Sequence, residues 1–122
     1  MTTIRPAALI VEDQPFIGMV ASDILRESGF NTFHAFDVAD ASAQLRDHPE
    51  IELMIVEAAL SSGDSGVEFA SRVAADHPGL QLVIASDRGN ETNVTLPAGA
   101  RLLTKPFSSG ELKVLAAARE LA

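Results

Sequence analysis

Two stretches of the sequence, RDHPEIELMIV (residues 46–56) and ADHPGLQLVIA (residues 75–85), share one pattern that decides the fold class. In each stretch a helix ends at Asp-His-Pro, because proline disfavours helical geometry in the residue before it. A short apolar strand follows, predicted at about 52–57 in the first stretch and 81–85 in the second. One helix-to-strand unit used twice indicates alternating helices and strands rather than a solenoid repeat.

The flanking sequence continues this alternation. Further strands are predicted at 7–11, 31–35 (the weakest) and 100–104, and helices at 16–27, 38–47, 65–76 and 109–121. Asp37 is the expected N-cap of the second helix, and Ser108 or Ser109 that of the last, with Glu111 placed to complete a cap from Ser108. The first helix follows Pro15 and carries apolar residues at helical spacing, namely Phe16, Ile17, Val20, Ile24 and Leu25.

Five strands alternating with helices predict an α/β fold. Right-handed crossovers would give a doubly wound five-stranded parallel sheet with helices on both faces. Residues 87–99 are polar and are predicted as a loop with at most one helical turn. No linker interrupts the pattern, so residues 1–122 are expected to form one domain with no output domain after it.

Composition narrows the classes of function. The chain has 122 residues, no cysteine and a formal net charge of −8, so it has neither a basic nucleic-acid footprint nor a thiolate metal site. The acidic balance also disfavours binding to an anionic membrane surface. The apolar runs of the chain are too short to span a bilayer, and the N-terminus lacks the features of a signal peptide. We therefore expect a cytoplasmic domain that binds neither nucleic acid nor membrane.

Polar side chains follow four of the predicted strands. Glu12 and Asp13 come after the first strand, Glu57 after the third, Ser86 after the fourth and Lys105 after the fifth. Ligands of open parallel α/β sheets bind outside the carboxyl ends of the strands, so these groups should meet at one edge. Three carboxylates so close together would repel one another unless a cation joins them, and oxygen ligands suit Mg²⁺.

Four motifs at these strand ends resemble the receiver domain of bacterial two-component response regulators. They are LIVEDQP (9–15), LMIVEAAL (53–60), VIAS (83–86) and LLTKPFSSGEL (102–112), of which Lys-Pro-Phe is the most specific. The resemblance covers essentially the whole chain and implies a flavodoxin-like sheet with strand order 2-1-3-4-5. In that family a phosphoryl group passes from a histidine kinase to an aspartate at the end of the third strand.

The resemblance also implies roles for individual residues. Mg²⁺ would be held by Glu12, Asp13, Glu57 and the main-chain carbonyl of Ala59. Ser86 and Lys105 would bind the phosphoryl oxygens, and the Lys105–Pro106 bond is expected to be cis. The implied partners are a sensor histidine kinase or phosphotransfer protein and a downstream protein target, with a homodimer as a further option. No enzyme activity of its own is expected.

Glu57 departs from the family pattern, because it stands where the family has its phosphoacceptor aspartate. One extra methylene moves the carboxylate by roughly an ångström, and a displacement of that size can cost about 10²-fold in rate. Phosphorylation is therefore expected to be impaired. Glu57 either imitates a phosphorylated aspartate or leaves a pseudo-receiver that serves only as a protein-interaction module. Ser61 is a second departure, since it replaces the proline usual at this position.

Two other classes fit the sequence poorly. A flavodoxin-like domain that binds a nucleotide or flavin phosphate needs a loop of backbone donors after the first strand. Here that loop carries Glu12 and Asp13, which repel phosphate, and Pro15, which has no N–H. A hydrolase of the aspartyl-phosphate type needs a second acidic residue two positions after its nucleophile. If Asp13 were the nucleophile, that position would hold Pro15 instead.

Overall fold

The computed structural model describes residues 5–87 and 96–117. Its strands are β1 (Ala7–Val11), β2 (Asn31–Ala35), β3 (Ile51–Glu57), β4 (Gln81–Ser86) and β5 (Arg101–Thr104). Its helices are α1 (Pro15–Glu27), α2 (Val38–Asp47), α3 (Gly66–Asp76) and α4 (Ser109–Ala117). The strands form one parallel sheet in the order β2-β1-β3-β4-β5, which confirms the predicted α/β fold.

The predicted boundaries differ from the observed ones by about one residue. Ser86 is the last residue of β4 rather than the residue after it, and β5 begins at Arg101 rather than residue 100. The end of the predicted last helix, 118–122, and most of the predicted loop, 88–95, lie outside the described residues.

Local capping explains where the later helices begin. The Asp37 carboxylate accepts a hydrogen bond from the Asp40 amide at 2.8 Å, as predicted. The Ser108 hydroxyl accepts from the Glu111 amide at 3.1 Å, while the Glu111 carboxylate accepts from the Ser108 amide at 3.2 Å. This reciprocal pair is a capping box, so Ser108 rather than Ser109 is the cap.

The core has two layers, one on each face of the sheet. On one face the strands pack against α2 and α3 through residues such as Leu45 and Phe69. On the other face they pack against α1 and α4 through Leu25 and Leu112. All of β1 is buried, as expected of a strand that is covered on both faces.

Some of the apolar residues at helical spacing in α1 are exposed rather than buried. Ile24 and Leu25 are buried, but Phe16 is 71% exposed and Val20 is 38% exposed. The buried face of α1 contains Gly18 and Ala21 together with Ile24 and Leu25. At about 100° of rotation per residue, Phe16 and Val20 point away from that face. In the part of the chain described here, no helix is long and apolar enough to cross a membrane.

Candidate functional site

The carboxyl ends of β1, β3, β4 and β5 lie side by side at one edge of the sheet. Val11 pairs with Val56, Glu57 pairs with Ala85, and Ser86 pairs with Thr104. The parallel register therefore places the residues at the ends of these strands next to one another. This juxtaposition is the one that the strand-end rule predicts.

Lys105 joins two of the acidic residues at this edge. Its Nζ atom lies 2.5 Å from Oε1 of Glu12, and it also donates to Oε2 of Glu57. The side chains of Lys105, Glu12 and Glu57 are only 9%, 5% and 7% exposed. Two buried carboxylates thus share one buried ammonium group, which offsets one of their two negative charges.

The pKa values of this ion pair are shifted by burial and by the neighbouring charges. Burial alone would lower the pKa of Lys105, but hydrogen bonds and charges of Glu12 and Glu57 raise it overall. Lys105 therefore stays protonated. Burial raises the pKa of Glu57, the hydrogen bond and charge of Lys105 oppose this rise, and the charges of Glu12 and Asp87 add to it.

Asp13, the third acidic residue, is held by a different partner. Its Oδ2 atom accepts a hydrogen bond from the main-chain amide of Ser61, in the loop between β3 and α3. Burial acts to raise the pKa of Asp13, but hydrogen bonds from the side chain and backbone of Ser61 outweigh it and lower the pKa. Asp13 is therefore ionised, and it faces the β3–α3 loop.

Ser86 and Ala59 also lie at this edge. Ser86 is buried, and its carbonyl accepts a hydrogen bond from the Lys105 amide at 2.8 Å. Ala59 pairs with Ser65 in an isolated bridge, whose hydrogen bonds use the Ala58 carbonyl and the Leu60 amide. These bonds do not use the carbonyl of Ala59. The Lys105–Pro106 peptide bond is cis, as predicted.

His34 supports this edge from β2, which the sequence did not indicate. Its Nε2 atom lies 2.8 Å from the carbonyl oxygen of Glu12, and the Glu12 amide donates to the Ala35 carbonyl at 3.0 Å. The imidazole thus extends the hydrogen bonding of β1 beyond the last ladder pair, Val11 with Ala35. Its ring lies against Gly18 of α1, where an added Cβ would come within 2.1 Å of the His34 Cε1 atom.

Gly66 is a second contributor to this edge that the sequence did not single out. It begins α3, and a Cβ there would lie 1.8 Å from the carbonyl oxygen of Glu57. Its amide donates to the Ala58 carbonyl at 2.8 Å. The absence of a side chain therefore lets the first turn of α3 pack directly on the backbone that carries Glu57.

The donor set at this edge fits Mg²⁺ in its chemistry. Carboxylates on β1 and β3 and a main-chain carbonyl are the hard oxygen ligands that this ion takes. As arranged, however, two of the carboxylates bind Lys105 and the third binds the Ser61 amide. Among the residues that the structure describes, no three acidic, histidine or cysteine side chains are grouped to hold an ion.

An apolar cleft opens beside Lys105. Its volume is about 430 Å³, and it is lined mainly by residues of α1 and of the segment after β5, including Phe16, Val20, Pro106 and Phe107. Phe107 is half-buried and packs against the core layer of α1 and α4. The exposed residues of α1 thus border the candidate site.

Comparison with protein families shows which family this chain matches. The model for the response regulator receiver domain matches residues 8–117 of this chain. Two curated proteins are each 30% identical to it over 85% of this chain. They are the probable transcriptional regulatory protein TcrX of Mycobacterium tuberculosis and the uncharacterized transcriptional regulatory protein YrkP of Bacillus subtilis. The chain spans 45% of the length of each.

Solved structures give the same result. The receiver domain of NtrX from Brucella abortus superposes with a TM-score of 0.82 at 25% identity, over 92% of this chain and 96% of that one. A signal receiver domain of a putative LuxO repressor protein from Vibrio parahaemolyticus has a TM-score of 0.81 at 21% identity, over 95% and 90% of the two chains. The second likeness bears on the fold alone.

Proposed function

Because this chain belongs to the response regulator receiver domain family, we propose that it is a receiver in which Glu57 occupies the phosphoacceptor position. Phosphorylation of Glu57 is slow, and the domain signals through protein partners without enzyme activity of its own. In this proposal Lys105 and Ser86 are the groups that contact phosphoryl oxygens in an active relative. Each lies at the carboxyl edge of the sheet.

The observation that carries this proposal is the ion pair between Lys105 and Glu57. The longer glutamate side chain reaches the ammonium group, which also binds Glu12. The carboxylate that would have to attack a phosphoryl donor is thus already bound to the cation that would stabilise the transferred group. A glutamate in this position favours the paired state over nucleophilic attack.

Mg²⁺ is the cofactor that we propose for this site. Glu12, Asp13, Glu57 and the carbonyl of Ala59 would hold the ion, which would neutralise the carboxylates and draw in an anionic ligand. In this chain Lys105 supplies a positive charge to two of these carboxylates without a metal. Lys105 would have to loosen its contacts for both carboxylates to become metal ligands.

Replacing Glu57 by aspartate tests the proposal. We expect Glu57→Asp to accept phosphate from a cognate histidine kinase about 10²-fold faster than the unchanged chain, because the shorter side chain restores the attacking position. Glu57→Gln is the matched control and should remain unlabelled. The proposal would be contradicted if the unchanged chain and Glu57→Asp were labelled equally and Glu57→Gln were not labelled.

The exposed face of α1 is the docking surface that we propose for the kinase or phosphotransfer protein. Phe16 and Met19 are 71% and 54% exposed, and Phe16 lines the cleft beside Lys105. An apolar helix face of the partner would bury them next to the phosphoacceptor position. We expect Phe16→Asp to weaken binding of the kinase at least about tenfold. Val114→Asp, at another exposed apolar position, should not change it.

A cytoplasmic setting is part of the proposal. We place the chain in the cytoplasm, in contact with a downstream protein target and not with nucleic acid or membrane, in keeping with its net charge of −8. The curated relatives extend beyond the length that this chain matches, so their transcriptional role is assigned to their whole chains.

A homodimer would use the surface formed by β5 and α4. Leu102 and Val114 are 42% and 69% exposed there and border a shallow apolar cleft. Sedimentation of the unchanged chain and of Val114→Asp tests this dimer. A monomer in both cases would argue against it.

A pure protein-interaction module is the second candidate function. It is favoured by the same ion pair, because Lys105 already occupies two of the acidic residues that a phosphoryl site needs. Titration with Mg²⁺ followed by beryllofluoride separates the two functions. Binding of beryllofluoride that depends on Mg²⁺ supports a retained phosphoryl site, and the absence of such binding supports the module.

A further inference from the structure

The β3–α3 loop directs a main-chain donor at Asp13. The loop is closed on itself: the Leu60 amide donates to the Asp64 carbonyl at 3.1 Å, and the Gly63 amide donates to the Leu60 carbonyl at 2.9 Å. These bonds, with the bridge between Ala59 and Ser65, restrain the loop on both sides of Ser61. The Ser61 amide then points across the site edge to the Asp13 carboxylate, 48 positions away in the chain.

This contact depends on the residue type at position 61. A proline there has no N–H and cannot donate, whereas every other residue type can. The main-chain amide of Ser61 is the donor that the restrained loop presents to Asp13, and the Ser61 hydroxyl adds to it. Replacement of proline by serine therefore adds a donor to the site.

From this geometry we infer that Ser61 sets the cation affinity of the site, because its main-chain amide competes with Mg²⁺ for the Asp13 carboxylate. The inference rests on the Mg²⁺ site of the proposed function and adds the residue that tunes it. A hydrogen bond to a charged group is strong enough to matter here, since its loss changes an equilibrium by about tenfold. To take Asp13 as a ligand, the ion must displace the amide or share the carboxylate with it.

The amide and the Lys105 ammonium divide the acidic residues between them. Lys105 binds Glu12 and Glu57, and Ser61 binds Asp13, so each of the three carboxylates has a donor from the chain itself. Removal of the Ser61 donor frees Asp13 without touching the buried ion pair. The effect of the Ser61 donor on metal binding can therefore be measured separately from the effect of Lys105.

Proline and alanine at position 61 form the matched test. Mg²⁺ binding is measured by calorimetry and by NMR on the unchanged chain, on Ser61→Pro and on Ser61→Ala. Ser61→Pro lacks the donor and should bind Mg²⁺ about tenfold more tightly. Ser61→Ala keeps the amide and loses only the hydroxyl, so its Mg²⁺ affinity should lie between those of the unchanged chain and of Ser61→Pro.

The amide resonance of Ser61 provides a second readout that needs no substitution. In the metal-free chain its proton should be shifted downfield by the carboxylate, and it should lose that shift with the same midpoint as Mg²⁺ binding. An amide signal that stays in place while Mg²⁺ binds would overturn the inference, even if Ser61→Pro failed to fold.

The outcomes separate this inference from the proposed function. Tighter Mg²⁺ binding by Ser61→Pro than by Ser61→Ala and by the unchanged chain, with release of the amide on Mg²⁺ binding, supports both. Equal binding by the three proteins, or weaker binding by Ser61→Pro, overturns the role of Ser61 and leaves the metal site standing. No Mg²⁺ binding by any of the three overturns the metal site and the inference with it.

Discussion

The Nζ atom of Lys105 and the Oε1 atom of Glu12 lie 2.5 Å apart, although 93 positions separate the two residues in the chain. Together with Glu57 they form a buried ion network at the carboxyl edge of the sheet. In this network one ammonium group holds two carboxylates, and it joins β1, β3 and the segment after β5. Its removal should therefore affect the whole domain.

Replacement of Lys105 by methionine should destabilise the domain strongly. The change leaves Glu12 and Glu57 buried without a cation, which typically costs about 3–5 kcal/mol of unfolding free energy. Urea denaturation followed by circular dichroism measures it. Lys113→Met is the control, because the exposed Lys113 pairs with Glu27 at 3.6 Å, and such surface pairs are worth little. A loss below about 1 kcal/mol for Lys105→Met would show that the network is not buried as described.

Alanine at position 66 should disturb the backbone of Glu57. The added Cβ would meet the Glu57 carbonyl oxygen at 1.8 Å, so α3 or the end of β3 must shift, at a cost of about 1–3 kcal/mol. Gly79→Ala is the matched control, since a Cβ at Gly79 meets nothing within 4 Å. Thermal unfolding of both variants measures the difference. Similar melting temperatures for Gly66→Ala and Gly79→Ala would refute the close approach.

Gly18 and His34 should behave as a coupled pair. Gly18→Ala forces a Cβ to within 2.1 Å of the imidazole ring and should cost about 1–3 kcal/mol. His34→Ala removes the ring and its hydrogen bond to the Glu12 carbonyl, which is worth about 1 kcal/mol.

In the double variant the added methyl group has room, so its loss of stability should be smaller than the sum of the two single losses. Unfolding free energies of the four proteins complete this cycle. Strict additivity would mean that the ring does not pack on Gly18.

The contribution of Asp13 to stability should disappear in acid. Its pKa in the folded chain lies below the ordinary value of 3.8, so ionisation of Asp13 favours the folded state. This contribution is complete above the unfolded pKa and is lost as the pH falls through the lowered folded pKa. The measurement is the difference in unfolding free energy between the unchanged chain and Asp13→Asn, in metal-free buffer from about pH 6 to about pH 3.

The difference between these two proteins should shrink as the pH falls. The raised pKa of Glu57 acts in the opposite direction, but Glu57 is common to both proteins and cancels in the comparison. A difference that stays constant over this range would be inconsistent with the hydrogen bonds to Asp13.

The amino-acid pattern alone predicted the fold and the edge that carries the candidate site. Strand and helix positions depend on local periodicity, on the Asp-His-Pro helix ends and on caps such as Asp37, all of which act within a few residues. The convergence of Glu12, Glu57 and Lys105 follows from one rule, since the carboxyl ends of parallel strands share an edge. The resemblance to receiver domains supplied the strand order and the expected roles of these residues.

Only the tertiary structure decided which partner each group has. The Ser61 amide reaches Asp13, His34 reaches the Glu12 carbonyl, and Phe16 lies exposed. All three features depend on how distant segments pack. A local pattern carries no record of such contacts, because hydrogen bonds between residues far apart in the chain form only once the backbone has brought them within about 3 Å. The sequence thus determined which charges meet at the sheet edge, and packing determined which donor binds each of them.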